Sequence, residues 1–211
     1  MPAQNVFRWL DGRGWLVLAG GGETGDIRAQ ALGRASADGG LACISLKGDP
    51  ALLDDLEDLG APSGYLVDLN TEDDKTIHDR LAEAGIIVID SAASVKEARS
   101  SLRGAPIEGI QQAFENGAVV LVEGVTAAAF GGWLLLPGGE VTEGLEWLEN
   151  ALVAPAIVDL AAYAYPALLA QPSAIAVGIG QGSALALGPD GEVETWGEKR
   201  VTVALGASYT G

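Results

Sequence analysis

Two short runs, Ile86-Ile87-Val88-Ile89 and Ala118-Val119-Val120-Leu121-Val122, constrain this chain most. Neither alternates apolar with polar residues, so neither suits a sheet with one wet face. A strand apolar on both sides belongs in a parallel sheet covered by helices above and below. The surrounding chain has the matching rhythm. A strand at 15–19 ends in Gly20-Gly21-Gly22, and a helical stretch over 23–37 follows. A strand at 41–46 precedes a short acidic helix at 51–59. A strand at 64–69 precedes a helix at 71–84, capped by Asn70-Thr71 and ended by Gly85. Residues 94–116 are helical with a break at Gly104-Ala105-Pro106. The strand at 118–122 then turns through Glu123-Gly124-Val125 into a small-residue helix at 126–130.

Alternating strands and helices predict right-handed βαβ units, hence a doubly wound α/β fold with a mostly parallel sheet. Strands at 175–179, 183–187, 193–196 and 201–205, with a hairpin turn at Pro189-Asp190-Gly191, predict C-terminal antiparallel strands. One domain over residues 1–211 is expected.

Charge narrows the function classes. The net charge of −17, from 29 acidic and 12 basic residues, repels phosphates and anionic lipid surfaces. Nucleic acid and membrane are therefore not expected as partners, which leaves a small molecule or a peptide. A homodimer, the commonest assembly, stays open. The lone cysteine, Cys43, cannot form an internal disulfide and suits a reducing compartment. The first eleven residues lack the order of a secretory signal, and no apolar run reaches about 18 residues. A cytoplasmic location is expected. One histidine and one cysteine cannot make a zinc set, and Asp54, Asp55, Glu57 and Asp58 lack EF-hand spacing. Neither metal nor cofactor is expected.

Two strand-to-helix turns carry the candidate chemistry. Gly20-Gly21-Gly22-Glu23-Thr24-Gly25 fits G-x-G-x-x-G between a strand and a helix, the setting of a dinucleotide fingerprint. Against that reading, Glu23 would repel a pyrophosphate. The second strand also ends in Leu46-Lys47-Gly48-Asp49, with Lys47 near the place of the ribose-binding acid. The plainer reading is a tight turn. The second turn, Glu123 to Ala129, stands where α/β hydrolases place a nucleophile elbow, with Thr126 at its tip. The plainer reading of Thr126 is a helix cap.

Around these turns the chain resembles the cyanophycinase and aspartyl dipeptidase group of serine peptidases, which share the class I glutamine amidotransferase-like, flavodoxin-like fold. Leu16 to Glu23 resembles the family's opening strand and glycine turn, and residues 117–129 its strand and G-T-S-A-G-A elbow. Residues 144–153 resemble the segment before its catalytic histidine, and residues 176–185 its G-I-D-E-x-T-A-L motif. The resemblance implies a nucleophile at Thr126, with the elbow neighbour Val125. It implies a base at Ala156, an acid at Gln181, and an oxyanion turn over Asp90-Ser91-Ala92-Ala93. Gly20, Gly21, Gly22, Asp90, Ser91 and Val125 would line the ligand. Every catalytic position departs from the family pattern: Thr126 replaces serine, Ala156 replaces histidine and Gln181 replaces the acid. The only histidine, His78, falls on the helix before the fourth strand. A hydroxyl needs a general base within reach to attack at neutral pH. The expectation is a pseudoenzyme with a binding or assembly role. The alternatives are a working hydrolase using Thr126, or a nucleotide-binding module using the glycine turn. Residues 130–137 are expected at the former site or at a dimer contact; residues 161–166 stand where the family carries basic substrate contacts, and their lack of charge implies that the family's substrate is no longer bound.

Overall fold

The computed structural model describes residues 6–36, 39–48 and 50–210. Ala37 and Asp49, which the sequence reading used, lie outside them. Two sheets make the frame. The first begins with β1 (Trp15–Ala19), α1 (Gly25–Arg34), β2 (Gly40–Ile44), α2 (Ala51–Asp58) and β3 (Gly64–Leu66). It continues through α3 (Asp74–Ala82), β4 (Ala84–Ile89), α4 (Val95–Leu102), α5 (Ala105–Glu115), β5 (Val119–Glu123) and α6 (Val125–Ala129). The five strands β1 to β5 are parallel neighbours in the order β1-β5-β4-β2-β3.

Side-chain parity explains the two layers. Leu16, Leu18, Ile87, Ile89, Val120 and Val122 face one core with Ile77 and Leu81 of α3 and Ile110 and Phe114 of α5. Val17, Ile86, Val88 and Leu121 face the other, with Ile27 and Ala31 of α1 and Leu52 and Leu56 of α2. Fully burying such a side chain is worth about 1.5–3 kcal/mol, which is why the runs are apolar on both sides. Asp73 and Ser94 start their helices by accepting from the Thr76 and Glu97 N–H groups. The cap at 73 corrects the expected one at Asn70-Thr71. Asp68 competes for that stretch, accepting from the Asn70 N–H and the Thr71 hydroxyl.

The rest of the chain departs from a simple extension. β6 (Gly131–Leu135), β7 (Val141–Glu143), β8 (Leu148–Pro155), α7 (Leu160–Ala170) and β9 (Ile175–Ile179) come next. They are followed by β10 (Ser183–Leu187), β11 (Val193–Gly197) and β12 (Val201–Leu205). β10 and β11 add to the first sheet as antiparallel edge strands beyond β1. β9 and β12 do not. They belong to a second, five-stranded sheet ordered β12-β9-β8-β6-β7, in which β6, β8 and β9 are parallel. Val153, Val177 and Ile179 of that sheet share a core with Leu16, Leu18 and Phe114. α7 covers the sheet's other face through Leu160, Ala164 and Ala167. No helix among the described residues is long and apolar enough to cross a membrane.

Candidate functional site

β1 and β5 are neighbours, yet their connections leave to opposite faces: β1 into α1, β5 into α6. Such a switch point leaves a crevice beyond the strand ends. Here the crevice gathers the glycine turn, the elbow and the 180–182 loop. The Gly124 N–H bonds the Ala19 carbonyl at 2.9 Å, and the Gly182 N–H bonds the Gly21 carbonyl at 2.8 Å. Gly20 meets the loop so closely that a methyl there would lie 2.2 Å from the Gly180 carbonyl oxygen. Gly21 faces Gly124, and Gly22 faces Gln181.

The elbow's backbone strain falls on Gly124, with φ 56° and ψ −134°, directly before α6. A side chain there would also collide with Ser91, whose Oγ would be 2.6 Å from an added methyl. Thr126 lies two residues on and is fully buried. Its hydroxyl donates to the Asp90 carbonyl at 2.6 Å and accepts from the Ala92 N–H at 2.8 Å. It therefore ties α6 to the turn after β4 and does not cap the helix, as the plainer sequence reading expected. The Asp90 carboxylate is held inward by the Ser45 hydroxyl at 2.8 Å and the Leu46 N–H at 2.7 Å. Ser91 Oγ accepts from the Val125 N–H at 3.1 Å. Val125 is the exposed member of the elbow.

Ala156 and Gln181 come together on one pocket of about 470 Å³, with Arg200 and Thr202. Ala156 holds φ 59°, a conformation a β-carbon disfavours. Its N–H bonds the Ile179 carbonyl at 2.8 Å. The Gln181 carbonyl accepts from Arg200 Nη2 at 2.7 Å. His78 is elsewhere. It sits on α3, which packs against α5, and its Nδ1 is 3.3 Å from Asp79 Oδ1.

Two features escaped the sequence reading. Glu123 closes β5 on the α1 side and is 5% exposed. Its two oxygens accept from Arg28 Nε and Nη2, both at 2.8 Å. That hydrogen bond raises the Arg28 pKa. Glu23, Asp55 and Asp58 line the same pocket as Arg28 at the glycine turn. A single charge ending an otherwise apolar strand was the available signal. The second feature is a cavity of about 910 Å³ reaching from Val125 and Ala128 to the β6–β7 hairpin, β8 and α7. Leu134, Leu135, Leu136, Leu152, Ile157 and Tyr163 are part of its wall. Burial raises the Tyr163 pKa.

Cys43 is buried in the α1–α2 core. Burial pushes its thiol from 9.0 to about 12. We expect no alkylation by iodoacetamide in the folded state and full alkylation in urea, read by mass spectrometry. The thiol's contribution to stability is fully present below about pH 9. It is lost as pH rises toward 12, because the unfolded chain releases the proton first.

No protein-family model and no curated protein matches the sequence. Solved structures do. A peptidase from an acI-B1 actinobacterium superposes with a TM-score of 0.70 at 16% identity, over 94% of this chain and 97% of that one. A peptidase E-type protein from Listeria monocytogenes EGD-e gives 0.65 at 14% identity, over 87% and 98%. The fold is therefore that of peptidase E-type proteins.

Proposed function

We propose that this chain is a non-hydrolytic relative of the peptidase E-type serine peptidases, with a retained role in binding. The observation that carries the reading is the state of the Thr126 hydroxyl. It is buried, and its one proton and an acceptor lone pair are committed to the Asp90 carbonyl and the Ala92 N–H. A nucleophile needs the opposite: an exposed oxygen with a base to take its proton. The strained residue of the turn, where an elbow presents its nucleophile, is a glycine. Alanine stands where the family resemblance puts the base, and the chain's one histidine is on α3.

The nucleotide reading is weaker on electrostatic grounds. Glu23, Asp55 and Asp58 line the pocket beside the glycine turn, and its arginine is already held by Glu123. A pyrophosphate would enter a negative field with no free cation among the described residues of that pocket.

The test is hydrolysis of aspartyl and β-aspartyl dipeptides by the purified chain beside Thr126→Ala. We expect no turnover in either. Thr126→Ala should instead lose about 1–3 kcal/mol of stability, because two buried backbone groups lose their partner. Turnover by the unaltered chain would overturn the reading, and its disappearance in the variant would make Thr126 the nucleophile.

A further inference from the structure

We infer that the outer edge of β12 pairs with the same edge of a second copy, joining two five-stranded sheets across a two-fold axis at Val203. β12 is the last strand of its sheet and runs antiparallel to β9, with Val201 opposite Ile179 and Leu205 opposite Ile175. The Gly180 N–H bonds the Arg200 carbonyl, and the Gly206 N–H bonds the Ala174 carbonyl. Bonded pairs alternate along an antiparallel ladder, so Thr202 and Ala204 turn their N–H and C=O groups toward β9. Those of Val201, Val203 and Leu205 point outward, where no described strand meets them. The side chains of Val203 and Leu205 are exposed as well, at 42% and 55%. Open edges invite pairing, and the other sheet edges among the described residues are guarded. β3 has only three residues, β7 has three and ends in Glu143, and β11 carries Glu194. β12 has five, Val-Thr-Val-Ala-Leu, without charge, proline or glycine.

Charge and symmetry decide the occupant. No ionic side chain occurs from Leu160 to Pro189 or after Arg200, in a chain that carries 29 acids. α7, which packs on β9 and β12, extends this neutral face. Its Tyr163 and Pro166 turn to the cavity on the β6 side. At about 3.6 residues per turn, Tyr165 falls nearly opposite Tyr163, on the β12 side. It is 66% exposed. A basic partner finds no carboxylate in α7, β9 or β12, and an anionic one is repelled by the net charge of −17. A neutral apolar strand beside an apolar helix fits, and this chain presents one. β12 is also its own complement. Laid antiparallel to itself about Val203, it sets Val203 opposite Val203 and Val201 opposite Leu205, so outward groups meet outward groups on both strands.

Sedimentation equilibrium of the full chain tests this. We expect a dimer with a dissociation constant of about 1–100 μM, since one strand and one helix per copy make a small interface. The dimer should tighten as salt rises, because the face has no ion pair to screen while the two net charges repel. Val203→Pro removes only an outward N–H and should weaken the dimer about tenfold or more; Val203→Lys should do the same if the proline variant misfolds by circular dichroism. Val203→Cys should link into a covalent dimer on mild oxidation, because the Cα atoms of an opposed bonded pair lie about 5.5 Å apart. Leu205→Cys, at a more exposed position, should stay unlinked, since Val201 stands opposite it. Cys43 is buried and does not compete. A chain that stays monomeric at about 200 μM, a dimer untouched by both Val203 changes, association that weakens with salt, or linking at 205 in place of 203 would each overturn the inference. The pairing does not depend on whether the chain hydrolyses dipeptides, so either reading can fail without the other.

Discussion

Glu123→Leu should cost about 3–5 kcal/mol, and adding Arg28→Met should return most of it. The single change strands a guanidinium whose side chain is only 15% exposed, beside a carboxylate that was 7% exposed. Removing one charge leaves the other desolvated without its two 2.8 Å hydrogen bonds. Removing both leaves a gap that Leu and Met can fill by packing. The return is incomplete, because Arg28 also bonds Asp55 at 3.2 Å. That carboxylate is 61% exposed, so its share is small. Urea denaturation of the two single variants and the double measures the cycle, with an unchanged m-value required for each comparison. A cost below about 1 kcal/mol for Glu123→Leu would mean that the pair behaves as a surface contact.

The parallel core was legible because its physics is local. A strand covered on both faces has to be apolar at every position, as β1 is, and outside the parallel core β9, β10 and β12 also start and stop where the sequence reading places them. The break between α4 and α5 falls at Gly104 for the same reason, since Pro106 can only sit in a first turn. Three strands of the second sheet, β6, β7 and β8, were not legible. β6 opens with Gly131-Gly132, each packed against backbone so tightly that an added methyl would lie within 3.0 Å of a neighbouring atom. Glycines of that kind erase the alternation that marks a strand. α7 was missed for the opposite reason. Its residues Leu-Ala-Ala-Tyr-Ala-Tyr-Pro-Ala-Leu-Leu-Ala are apolar all round, so no helical period shows. Tyr165 and Leu169 lie exposed on it all the same.

At the site, the sequence located the turn but not its strained residue. The spacing around Gly124 and Thr126 accepts a match in more than one register, and only the backbone angles separate them. The same limit hid the fate of Thr126. Nothing local says that a threonine two residues into a helix bonds a turn 34 to 36 positions earlier.

Gly124→Ala should cost about 3–4 kcal/mol, the joint effect of a backbone conformation reserved for glycine and a collision with Ser91. The two causes can be separated. Ser91→Gly removes the oxygen and carbon that would lie 2.6 and 2.8 Å from the new methyl. It leaves φ at 56°, so the double variant should recover about 1–2 kcal/mol and no more. Full recovery would mean that the angles carry no strain, and no recovery would mean that Ser91 moves aside freely. The same position bears on chemistry. Gly124→Ser with Ser91→Gly would place a hydroxyl on the strained residue of the elbow, the place a hydrolase gives its nucleophile. On the reading proposed here that variant stays inactive toward dipeptides, because Ala156 and Gln181 supply neither a base nor a charge to orient one. Adding Ala156→His should then be the first change to bring measurable turnover. Turnover without it would show that a base other than a residue at 156 already serves this crevice.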